Sequence, residues 1–78
     1  MTNETFYTTI ENQGRNDGFG LLYDHFTDLN QAYAKLYTIL AAAAVSDIPY
    51  HAGLLIRDDG VLLEGKVFDR RSQEESEE

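Results

Sequence analysis

An antiparallel α+β fold in the order β-β-α-β-β is what this chain predicts, and three observations carry the prediction. Residues 28–45 space apolar side chains at helical intervals, residues 50–68 read as two strands about an Asp-Gly turn, and the segment before residue 26 splits into two β-rich stretches around a run of turn formers. One helix packed on one face of a four-stranded antiparallel sheet accommodates all three. A spatial strand order of 2-1-3-4 makes every neighbouring pair antiparallel with short connections.

Thr5 to Glu11 is dense in β-branched and aromatic residues, with Phe6, Thr8 and Ile10 on one side and Tyr7, Thr9 and Glu11 on the other. Asn12 to Gly18 collects turn formers and is expected to be a hairpin loop. Phe19 to His25 resumes strand character, with Gly20 marking a bulge or an edge. Thr27 or Asp28 opens the helix, and Asp28 with Gln31 resembles a capping box. From there Leu29, Ala32, Tyr33, Leu36, Ile39, Leu40 and Ala43 form one apolar stripe. Asp47 to Pro49 ends the helix, because proline biases the preceding residue toward extended geometry.

The last hairpin can be read residue by residue. With Asp59-Gly60 as a two-residue type I′ turn, Asp58 faces Val61, Arg57 faces Leu62, Ile56 faces Leu63, Leu55 faces Glu64, and the pairing continues to His51 with Phe68. Alternation then sorts the side chains into two sets. Ala52, Leu54, Ile56, Val61, Leu63 and Val67 are uniformly apolar and are expected to meet the helix. The mixed set of His51, Leu55, Arg57, Leu62, Glu64, Lys66 and Phe68 is expected to face outward.

Seventy-eight residues make one small domain, expected over residues 1–71, with the charge run of residues 72–78 as a disordered acidic tail. A body this small buries only about 60% of its unfolded surface, so an added staple is expected. There are no cysteines and two histidines, which removes disulfides and thiolate zinc and leaves association as the staple. The formal charge is −8, and clustered Lys and Arg are absent apart from Arg70-Arg71, so direct nucleic-acid and membrane binding are disfavoured. Met1 to Thr5 has no signal-peptide pattern and Ile39 to Val45 falls short of the roughly 20 residues that span a bilayer, giving an expectation of a cytoplasmic protein.

Motifs for chemistry are weak. Tyr23-Asp24-His25 juxtaposes a carboxylate and an imidazole, but adjacent strand residues point to opposite faces, so Asp24 would not orient His25. No serine or threonine sits in a nucleophile-elbow pattern. Gly14, Gly18 and Gly20 lack phosphate-loop spacing, and Asp58, Asp59 and Glu64 fall short of the roughly six oxygen ligands calcium takes. No catalytic, cofactor or metal residues are therefore expected.

Five tyrosines, with Tyr7 and Tyr37 off the main apolar stripes, point instead to an interface. The expected interface residues are Tyr7, Tyr37, His51, Leu55, Leu62 and Phe68. The expected function is a non-catalytic acidic protein-binding module, homodimeric through that face or an edge strand, acting by assembly or by steric occupation of a partner. A pointed variant is a small inhibitor, of the kind phages and mobile elements make, whose carboxylates mimic nucleic-acid phosphates. The alternative is a small-molecule-binding or enzymatic domain using the sheet–helix crevice with His25 or His51. A deep pocket lined by histidine would favour that alternative; a flat sheet face would favour binding.

Overall fold

A computed structural model describes residues 4–70. The acidic run at 72–78 lies outside the described residues. The elements are β1 (Tyr7–Arg15), β2 (Gly18–Phe26), α1 (Leu29–Val45), β3 (Tyr50–Arg57) and β4 (Leu62–Asp69). They form one antiparallel sheet in the order β2-β1-β3-β4 with the helix packed on one face, as the sequence predicts.

The helix begins where its cap permits: the Asp28 carboxylate accepts the Asn30 N–H at 3.0 Å. Ala32, Leu36, Ile39 and Ala43 follow at steps of four, three and four, and all are buried. The C-terminus is closed from a distance. The Arg70 guanidinium donates to the carbonyls of Ala43 at 2.6 Å, Ala44 at 3.3 Å and Ile48 at 3.0 Å, putting a cation on the negative end of the helix.

The first hairpin is longer than the turn formers suggest. Both strands run through most of the expected loop, and only Asn16 and Asp17 remain as the turn between Arg15 and Gly18. Asn12, Gln13 and Gly14 are held as strand because each pairs on both sides, with β2 and with β3. Gly14 belongs there for space, since the Phe19 ring lies where a Cβ would stand.

The second hairpin corrects the expected turn. No non-glycine residue among those described has positive φ, so Asp59 does not take the left-handed geometry a type I′ turn requires. Instead Gly60 N–H donates to Arg57 O at 2.8 Å, Arg57 N–H donates to Val61 O at 2.9 Å, and Gly60 sits at φ +88°. That is a three-residue loop, a type I turn followed by a left-handed glycine. Asp59 fastens it, its carboxylate accepting from Arg57 Nε at 3.0 Å, Arg57 Nη2 at 2.9 Å and Val61 N–H at 3.2 Å. The odd loop shifts the first pairs by one, to Ile56 with Leu62, and a bulge at Leu63 shifts them back. From Leu55 with Glu64 to His51 with Phe68 the register is the expected one.

The faces, however, are exchanged. A Cβ on Gly53 would stand 2.8 Å from Ile39 Cγ2 and 2.9 Å from Leu40 Cδ2, so the odd-numbered residues of β3 lie under the helix. Leu55 is fully buried in a cluster with Ala32 and Leu36, joined at its margin by Tyr7, Phe26, Tyr33, Leu40 and Leu63. Ala52, Leu54 and Ile56 consequently point the other way, with Val67. Leu63 reaches the core because the bulge turns it there. The physical reason is the floor the helix needs. Gly53, paired with Glu11, gives a low point in the floor where Ile39 and Leu40 approach closely, which a side chain at that position would prevent.

Candidate functional site

Pairing places four rows of side chains on the helix-free face: Phe19, Leu21, Tyr23 and His25 from β2; Thr8, Ile10 and Asn12 from β1; Tyr50, Ala52, Leu54 and Ile56 from β3; and Leu62 and Val67 from β4. Phe19 is 63% exposed, Tyr23 and Leu62 are each 56%, and Leu21 and Val67 are nearly as open. The face is organised rather than merely greasy. Phe19 and Tyr50 meet edge to face at 5.8 Å above Gly14, and Leu54 leans over Gly65. Asp69, at the corner beside Tyr50, is the carboxylate that borders it.

The expected interface residues fall on both sides of the sheet. Leu62 is on the open face. Leu55 is in the core, Tyr7 packs against that core, and His51 is 3% exposed. Phe68 is half-buried on the helix side, with Lys66 Nζ at 5.3 Å and the Arg70 guanidinium at 5.8 Å from its ring centroid. Tyr37 is an exposed helix residue whose hydroxyl donates to Glu64 at 3.1 Å, and that bond pushes the Tyr37 phenol upward. The sequence reading missed Phe19, Leu21, Tyr23, Leu54 and Val67 as one surface; the signal available was Gly53, which marks the side the helix must press upon.

His51 occupies a different kind of place. Its Nε2 lies 2.7 Å from Glu11 Oε2 and its Nδ1 2.9 Å from Ser46 Oγ, while Gln13 Nε2 donates to the same Glu11 oxygen at 2.9 Å. Burial would raise the Glu11 carboxyl, but hydrogen bonds from His51 and Gln13, with the charges of His51 and Lys35, outweigh it and hold Glu11 below the ordinary 4.5. Ser46 Oγ also accepts the Ile48 N–H at 3.3 Å. The network ties β1, β3 and the end of the helix together. Both ring nitrogens are engaged and the imidazole is covered.

The crevice between helix and β2 is a shallow cleft of about 300 Å³ lined by Glu11, Leu22, Tyr23, Asp24, Lys35 and Ile39. Neither histidine lines it. Asp24 faces Lys35 there at 3.3 Å, while His25, on the opposite face, has Nδ1 3.0 Å from Thr8 Oγ1. Asp24 and His25 thus diverge as strand alternation requires. Among the described residues no three His, Cys, Asp or Glu side chains gather as metal ligands, and no helix is long and apolar enough to cross a membrane.

No family model, curated protein or solved structure matches this chain.

Proposed function

We propose that this chain is a non-catalytic protein-binding module of the cytoplasm that self-associates and acts by assembly through the helix-free face of its sheet. The observation that carries the reading is that face: half-exposed aromatic and aliphatic side chains on the outer strands β2 and β4 flank a more covered centre of Ile10, Ala52, Leu54 and Ile56, with Asp69 the carboxylate at its corner. A face with its charge confined to the Asp69 corner suits a second copy, since the apolar parts of two copies can meet there without opposing like charges. Strands of eight or nine residues set four abreast give a footprint of roughly 28 by 19 Å, about 500 Å² before side-chain relief is counted. A stable interface takes roughly 800 Å² from each partner, so the flat footprint of one face alone falls short of it.

Sedimentation equilibrium tests the reading. The wild-type chain is expected to exceed the single-chain mass of 8.8 kDa, and Leu62→Lys with Val67→Lys, both half-exposed, is expected to halve the observed mass without loss of helical signal. An unchanged mass in the folded double variant contradicts the proposal.

A further inference from the structure

The two edges of the sheet are built differently. β4 carries Glu64 and Lys66 and is broken by the bulge at Leu63, the devices that keep an edge from pairing. β2 has no bulge and one charged residue, Asp24, whose carboxylate is paired with Lys35 of the helix. Its nine residues run without proline, lysine or arginine, pair with β1 with no bulge, and are exposed from Gly18 to His25.

Main-chain direction follows from one bond. Arg57 N–H donates to Val61 O, so odd-numbered residues of β3 direct their N–H and C=O groups at β4 and even-numbered ones at β1. Carried across β1, that alternation leaves Phe19, Leu21, Tyr23 and His25 with main-chain groups directed outward from β2.

We propose that β2 pairs antiparallel with β2 of a second copy, joining two sheets into one of eight strands about a dyad at Leu22. Three features favour this occupant. The register centred on Leu22 uses the whole strand and matches outward-directed residues with each other, Leu21 with the second copy's Tyr23 and Phe19 with its His25. On the helix side it sets Leu22 against Leu22 and Asp24 against Gly20, so no like charges meet, and Asp24 keeps Lys35. Leu22, 57% exposed beside the helix and unused by the open face, thereby gains a partner. Pairing also stops by itself, because both outer strands of the joined sheet are the guarded β4. The open face of one copy becomes half of a continuous surface of about 1,000 Å², large enough for a standard interface.

The pairing goes beyond the open-face reading and is tested apart from it. The chain has no cysteine, and at a dyad on a non-hydrogen-bonded pair the two Cα atoms lie about 4.5 Å apart, within disulfide range. Under mild oxidation at micromolar protein, Leu22→Cys is expected to form a cross-linked dimer roughly a hundredfold faster than Val45→Cys, because pairing raises the effective concentration to the order of mM. Val45 is 85% exposed at the helix end and serves as the control. The advantage should persist when Leu62→Lys and Val67→Lys are added and vanish in a Leu21→Pro background, where the outward N–H is removed. Equal rates for Leu22→Cys and Val45→Cys overturn the edge pairing. If the rates stay unequal while Leu62→Lys/Val67→Lys leaves the mass unchanged, the pairing stands and the open-face reading fails.

Discussion

Gly53→Ala decides which face of β3 the helix covers, because the two possibilities differ in sign. Under the helix, the new methyl would stand 2.8 Å from Ile39 Cγ2 and 2.9 Å from Leu40 Cδ2. Ile39 is 4% exposed and its Cβ follows at 3.5 Å, so it cannot swing clear without moving the helix. Overpacking of this kind costs about 1–3 kcal/mol. Replacing a strand glycine returns about 0.5–1 kcal/mol of unfolded-state entropy. The net is a loss centred on about 1 kcal/mol, or a Tm lower by about 4–8 °C in a domain this small. Gly20→Ala is the matched control: nothing lies within 4 Å of its added Cβ, so the entropy gain should appear alone as a small rise in Tm. Both are read by thermal circular dichroism and urea titration at one fixed protein concentration, since association couples to stability. A Gly53→Ala chain as stable as wild type, or more so, would refute the helix placement.

Leu55→Ala should cost about 2–5 kcal/mol in urea denaturation, whereas Leu62→Ala should leave the monomer within about 0.5 kcal/mol of wild type. Gly60→Val should cost about 1–2 kcal/mol, because a β-branched residue resists φ +88°; an unchanged Tm would mean the loop is elsewhere. Glu11, whose folded-state carboxyl titrates below its ordinary 4.5, adds stability that is present above that value and is lost as pH falls through the lower folded one. Acid titration should therefore show a shallower loss of stability for Glu11→Gln than for wild type over that window.

Much of the fold was legible because local chemistry and connection length agree. The helical stripe from Ala32 to Ala43 and the Asp28 cap follow from spacing, while short connections allow a few strand orders, of which 2-1-3-4 is the one the chain adopts. The pairing of Leu55 with Glu64 through His51 with Phe68 was legible as well. The faces were not legible by alternation, because both sides of the hairpin carry large apolar residues, and the more apolar set turned out to face away from the helix that presses on Gly53. The turn type depended on Asp59, whose carboxylate finds Arg57 and Val61 and so prefers right-handed geometry that a dipeptide rule does not weigh. The Glu11–His51–Ser46 network joins residues as far as 40 positions apart with no spacing to announce them, and Arg70 caps a helix that ended 25 residues earlier in sequence.

The most direct test of the account is a methyl NOESY spectrum of the selectively labelled chain. The account predicts cross-peaks from the Leu55 methyls to Leu36 and Ala32, with the Leu54 and Ile56 methyls silent toward every helix residue. Cross-peaks from Leu54 or Ile56 to Leu36 would contradict it, since they would put the helix on the face through which these molecules are proposed to meet.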